Sequence, residues 1–183
     1  MGEDVVTQTL RRISSRLDEL GIPYAVAGGM ALGAHGFVRA TADVDILVTQ
    51  EGLASVHKEL EGLGYVPPFT GSKNLRDVGS SVRIEFLVAG QYPGDGKPKP
   101  VAFPDPATAA IEIDGVKYLK LDKLIELKLA SGMTGGVNRM KDLVDVVELI
   151  KICGLQADTA DRLDPYVRDK FRELWDGVQQ SPP

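Results

Sequence analysis

The chain of 183 residues has a single cysteine, Cys153, and only two histidines, His35 and His57. One cysteine excludes an intramolecular disulfide, and no zinc site is expected. Cys153 lies in an apolar helical pattern and reads as a core residue in a reducing compartment. His35 and His57 lack a matching partner and read as structural or exposed residues. A signal-like apolar N-terminus is missing too, and the uncharged stretch from Tyr24 to Val38 is too short and too glycine-rich to span a bilayer. A cytoplasmic protein with no membrane partner is therefore expected. Positive charge is not in excess: 21 Lys and Arg stand against 26 Asp and Glu, a net charge of −5. That balance argues against a broad nucleic-acid-coating surface and leaves room for a local basic groove. Basic residues do gather between Gly115 and Lys141 (Lys117, Lys120, Lys123, Lys128, Arg139, Lys141), opposed only by Asp122 and Glu126. This segment reads equally well as a solvated helix face or as an anion-binding stretch.

What is present is an ordinary globular composition, 43% apolar and 26% charged, enough for one domain with a helical appendage. Val6, Leu10, Ile13, Leu17 and Leu20 recur at helical spacing, and Gly21 with Pro23 ends that helix. A short strand is expected over Tyr24–Ala27, a short helix over Met30–His35 and a strand over Asp43–Val48. Leu53, Val56, Leu60 and Leu63 mark a second amphipathic helix ended by Gly64. Strands follow at Asn74–Val78 and Val82–Ala89. Gln91 to Pro106, with five prolines and two glycines, reads as a long irregular loop, and Ala110 to Leu121 as a hairpin turning at Asp114-Gly115. Helices over Leu121–Ala130 and Leu143–Ile152 precede a last one that starts at Asp164-Pro165 and carries Val167, Phe171, Leu174 and Trp175. The order of elements predicts an α/β (α+β) fold, a mixed sheet flanked by helices and followed by C-terminal helices. The expected division is a core domain over 1–121, a helical segment packed on it over 122–178, and a tail over 179–183.

The chemistry concentrates between Tyr24 and Val48. Side chains alternate faces along a strand, so Asp43 and Asp45 point the same way while Val44, Ile46 and Val48 point into the core. Two like charges held this close favour a cation beside them, and carboxylate oxygens suit a hard ion such as Mg²⁺. Upstream, Gly28-Gly29 offers a turn whose backbone N–H groups can approach a phosphate. Glu85 is a carboxylate inside the apolar strand Ile84–Leu87, where burial without a partner is costly. It either pairs with Arg83 or another base, or lies on a solvated sheet face.

Gly28-Gly29, thirteen residues and then Asp43-Val44-Asp45-Ile46 together resemble the signature of the polymerase-β-like nucleotidyltransferase superfamily. Gly-Gly-x-Ala-Leu followed by Gly-x-x-Arg-x-Thr-x-Asp-x-Asp is similar to its AbiEii-type toxin branch and its antibiotic-modifying relatives. The resemblance runs from about Ile22 to Ile152. It implies the nucleotidyltransferase fold and a Mg²⁺-dependent transferase in which Asp43, Asp45 and Glu85 hold two Mg²⁺ ions, Gly28 and Gly29 cradle the phosphates of a nucleoside triphosphate (NTP), and Glu85 takes the acceptor's proton. Arg39 and Thr41 match an Arg-x-Thr that braces the acidic strand. Leu124-Ile125-Glu126-Leu127-Lys128-Leu129 and Arg139-Met140-Lys141-Asp142-Leu143-Val144-Asp145 resemble a later segment of the same branch, which implies that Lys128 and Lys141 contact the triphosphate and that Asp142 or Asp145 positions them. Read without the resemblance, Lys141, Asp145 and Glu148 form a helical surface ladder. Two departures stand out: Met30 follows Gly29 where many members have serine, which removes a hydroxyl contact, and the third acid is Glu rather than Asp, which lengthens its reach by one methylene. The acceptor is RNA or protein, for a toxin paired with an antitoxin protein, or else a small hydroxylated, antibiotic-like molecule; a non-catalytic nucleotide-binding module is the remaining alternative.

Overall fold

A seven-stranded mixed sheet organises the first of two compact units in the computed structural model, which describes residues 3–183. This unit comprises the chain up to Ala34, Val38–Ala89 and Pro104–Leu119. Its strands are β1 (Ala25–Val26), β2 (Asp43–Val48), β3 (Tyr65–Val66), β4 (Leu75–Asp77), β5 (Arg83–Val88), β6 (Ala110–Ile113) and β7 (Val116–Leu119), in the spatial order β3-β4-β5-β2-β1-β7-β6. The central pair, β2 and β5, is parallel, and β1 runs antiparallel to β2. Helices α1 (Val5–Glu19), α2 (Gly28–Ala34), α3 (Gln50–Leu60) and the single turn α4 (Pro106–Ala109) complete it.

The alternation in β2 and β5 decides what the sheet buries. Val44, Ile46 and Val48 of β2 and Ile84, Phe86 and Val88 of β5 join Leu10, Ile13 and Leu17 of α1 and Leu53, Val56 and Leu60 of α3 in one core. Asp4 caps α1, accepting from the Val6 and Thr7 N–H groups at 3.0 Å. Thr49 caps α3 through its hydroxyl, which accepts from Gly52 N at 2.9 Å. That cap explains why α3 starts at Gln50, earlier than its apolar spacing suggests. At the end of β4, Asp77 is buried and accepts from Arg12 Nη2 at 3.0 Å and from the N–H groups of Gly79 and Ser80 at 2.8 and 3.0 Å. Burial pushes its carboxyl up, but the bonds from Ser80, Arg12 and Gly79 outweigh that and hold it below the usual carboxylate range.

The second unit comprises His35–Phe37, Gly90–Phe103 and the chain from Lys120 onward. It contains α5 (Leu121–Thr134), α6 (Met140–Ile152) and α7 (Pro165–Gln180), with 3₁₀ turns at Val137–Arg139 and Ala157–Arg162. The N-cap Asp164 accepts from Tyr166 N at 2.9 Å, and the buried Glu126 of α5 accepts from Asp164 N at 2.9 Å, so the start of α7 is fixed to α5. Helix α7 runs to Gln180, two residues into the expected tail. Cys153 is half-buried, with its Sγ 3.3 Å from the His35 carbonyl, and burial pushes its thiol pKa up. The irregular stretch 90–103 folds around Lys99, whose ammonium donates to the Pro93 carbonyl, Asp95 and the Lys97 carbonyl at 2.7, 2.8 and 2.7 Å. All three of its N–H donors are thereby used, which gives this loop an internal anchor.

Candidate active site

Parallel pairing of β2 with β5 sets Asp43 opposite Arg83 and Asp45 opposite Glu85. Cross-strand partners share a face, so Asp43, Asp45, Arg83 and Glu85 all lie on the face of the sheet away from the core. Each of the three acids is half-buried. Glu85 Oε1 lies 3.3 Å from Arg83 Nε. The plain reading of Glu85, a carboxylate paired with Arg83, is thus realised.

The chain enters this site through a turn that only glycine can make. Gly28 has φ +59°, and a Cβ built on it would overlap the Asp45 carboxyl, lying 2.8 Å from its Cγ and 3.1 Å from its Cβ. The missing side chain of Gly28 is therefore the space that the Asp45 carboxylate occupies. Gly29 has an ordinary φ and packs against Thr41, where an added Cβ would meet the threonine Cβ and Oγ1 at 3.0 Å. Thr41 donates to the Asp43 carbonyl at 3.2 Å. It braces the start of β2, while Arg39, two residues upstream, is half-buried and engaged by neighbouring groups. Helix α2 spans only seven residues, so the turn itself contributes more through its local N–H groups than through any macrodipole.

Two carboxylates on one face, with a third in register on the neighbouring strand, supply the all-oxygen donor set that Mg²⁺ takes, and the side chain missing at Gly28 leaves them room. The donor chemistry fits the ion. In the present rotamers Glu85 is turned to Arg83, and among the described residues no three His, Cys, Asp or Glu side chains converge into a metal-holding group.

Lys128 and Lys141 belong to the second unit. Lys128 Nζ donates to Asp142 Oδ1 and Asp145 Oδ2, both at 2.8 Å, and Ser131 Oγ donates to Asp142 Oδ2 at 2.6 Å. These side chains are nearly enclosed: Lys128 is 11% exposed, Asp142 4% and Asp145 6%. Lys128 keeps one N–H donor beyond the two aspartates. Lys141 is exposed on α6. The surface ladder does not form, because Asp145 faces Lys128 and Glu148 pairs with Lys151 at 3.3 Å. His57 bridges Glu61 at 2.9 Å and the Lys73 carbonyl at 2.8 Å, a structural role.

The sequence drew no attention to Arg76. It lies in register with Arg83 on β4, and the signal that finds it is the pairing of a three-residue strand that local periodicity barely marks.

No family model and no curated protein sequence matches the chain. Solved structures do. The solution structure of the antibiotic-resistance factor ANT(2″)-Ia aligns with a TM-score of 0.57 at 17% identity, covering 97% of each chain. The crystal structure of ANT(2″)-Ia in complex with adenylyl-2″-tobramycin aligns with a TM-score of 0.54 at 15% identity, covering 94% of this chain and 97% of that one. A nucleotidyltransferase-like protein from Paracoccidioides brasiliensis gives 0.52 at 19% identity over 82% of this chain and 78% of its own. The chain has the nucleotidyltransferase fold.

Proposed function

We propose that this chain moves a nucleoside monophosphate from an NTP to an acceptor hydroxyl. The observation that carries the proposal is the register of β2 and β5, which sets Asp43, Asp45 and Glu85 on one sheet face with the side-chain-free Gly28 against Asp45. The acceptor oxygen attacks the α-phosphorus, the bond from that phosphorus to the bridging oxygen of the β-phosphate breaks, and pyrophosphate leaves. Asp43, Asp45 and Glu85 would hold Mg²⁺, which would neutralise the triphosphate and the charge developing at the α-phosphoryl oxygens. Backbone N–H groups at Gly28-Gly29 orient the phosphates, and Glu85 accepts the proton of the attacking hydroxyl, which requires its release from Arg83. Within the second unit, Lys128, held by Asp142 and Asp145, keeps a remaining donor for an anion.

The test is incubation with each labelled NTP, Mg²⁺ and candidate acceptors (total RNA, cell lysate, aminoglycosides), together with calorimetry of NTP binding. Mg²⁺-dependent label transfer that is lost in Asp45→Asn is the expected result. Tight Mg²⁺-NTP binding without transfer to any acceptor assigns the chain to a nucleotide-binding module instead. An aminoglycoside acceptor is the second reading, favoured by the ANT(2″)-Ia complex with adenylyl-2″-tobramycin.

A further inference from the structure

A row of four residues crosses the sheet at one level. Val66 of β3 is in register with Arg76 of β4, Arg76 with Arg83 of β5, and Arg83 with Asp43 of β2. Partners in register point to the same face, so both arginines stand on the face that carries Asp43, Asp45 and Glu85. Strands are about 4.8 Å apart, which puts Arg76 two strands, roughly 10 Å, from Asp43. Arg76 is exposed and makes no ion pair or side-chain hydrogen bond among the described residues. Arg83 is 44% exposed and spends one contact on Glu85, leaving most of its five N–H donors available. The one acid next to Arg76 in sequence, Asp77, faces the opposite side and is bonded to Arg12.

We infer that this arginine row is the binding surface for the acceptor, and that the acceptor carries phosphate beside the hydroxyl that is attacked. The inference rests on the transfer reading above. There, the glycine turn lies on the β1 side of the acids, and Arg76 and Arg83 lie on the β5–β4 side. In-line displacement puts the attacking and leaving oxygens on opposite sides of the α-phosphorus. With the triphosphate on the glycine side, the acceptor approaches over the arginines. Two guanidinium forks a strand apart match phosphate oxygens and repel an amine-rich, polycationic acceptor. The 3′ end of an RNA strand and a free sugar phosphate both present this chemistry.

The probes are a fluorescent short oligoribonucleotide with a free 3′ hydroxyl, ribose 5-phosphate, tobramycin and a glutamate-rich peptide, measured by anisotropy and competition on the full chain at low and high salt. Wild type is expected to bind the oligonucleotide, or to have ribose 5-phosphate labelled in the transfer assay. Arg76→Glu should weaken whichever interaction is found by roughly tenfold or more and flatten its salt dependence, with NTP affinity unchanged and Arg76→Lys recovering part of the loss. Competition by ribose 5-phosphate at equal concentration points to a small phosphorylated acceptor, and competition only by longer RNA points to a strand. Equal binding by wild type and Arg76→Glu, preferential labelling of tobramycin, or capture of the acidic peptide in place of the phosphorylated probes overturns the inference. Arg76-dependent phosphate binding without label transfer removes the transfer reading and keeps the surface; transfer that ignores Arg76 does the reverse.

Discussion

Gly28→Ala separates the two jobs of one glycine. The backbone at φ +59° is left-handed, and a β-carbon there costs about 1–2 kcal/mol. At about 2–4 °C per kcal/mol for a chain of this size, the melting temperature should fall by about 2–8 °C. The second effect is local to the site. The new methyl overlaps the Asp45 carboxyl, which must rotate or shift by about an ångström, and a misplacement of that size costs about a hundredfold in rate, or about 2.7 kcal/mol of barrier. Gly21→Ala is the matched control. Its φ is +66° and nothing lies within 4 Å of the added Cβ, so it carries the strain without the clash. Melting followed by circular dichroism should show a loss for Gly21→Ala and one at least as large for Gly28→Ala, which adds the overlap, whereas Mg²⁺-NTP calorimetry and label transfer should fail only for Gly28→Ala. Unimpaired transfer in Gly28→Ala would refute the claim that this glycine makes room for a working Asp45. Equal loss of transfer in Gly21→Ala would show strain, not the clash, to be the cause.

Asp43→Ala, Asp45→Ala and Glu85→Ala should each lower nucleotidyl transfer by about a hundredfold or more, and the double variants should lose little beyond the single ones because the residues act as a unit; additive losses in single-turnover assays would contradict a shared site. Lys128→Met removes the ammonium that bonds both Asp142 and Asp145, 4% and 6% exposed, leaving Arg139 3.9 Å from Asp142, and should cost about 3–5 kcal/mol in urea unfolding; a change under about 1 kcal/mol would show that water or the other neighbouring groups already satisfy them. Asp77 has a depressed pKa in the folded chain, so its stabilisation is complete above its ordinary value of 3.8 and is lost as pH falls through the folded value. The stability gap between wild type and Asp77→Asn should therefore hold steady from neutrality to about pH 4 and shrink below it, and a gap that persists unchanged into stronger acid would argue against this account.

Much of the site follows from strand alternation. Asp43 and Asp45 share a face because they are two residues apart in a run whose intervening residues are apolar, and that much needs no tertiary information. The amphipathic spacing in α1, the Asp164-Pro165 start of α7 and the Asp114-Gly115 turn are likewise local matters, decided by a few neighbouring residues. Which strand lies beside β2 is not local. The pairing of Asp45 with Glu85 joins residues forty positions apart, and a slip of one residue would have sent Glu85 to the core. The two-residue strand β3 escapes periodicity altogether, since it is marked only by its pairing with β4. Lys128 and Asp145 are individually unremarkable charges in helical patterns, and the packing of α5 on α6 turns them into an enclosed ion pair. Arg76 comes into one row with Val66, Arg83 and Asp43 only through the pairing of three strands. The sequence alone determined the periodic faces, the caps and turns and the placement of the two aspartates together, because those depend on covalent neighbours. The fold decided the register, the Arg83 contact of Glu85 and the space beside Gly28, because those depend on which distant segments the core brings side by side.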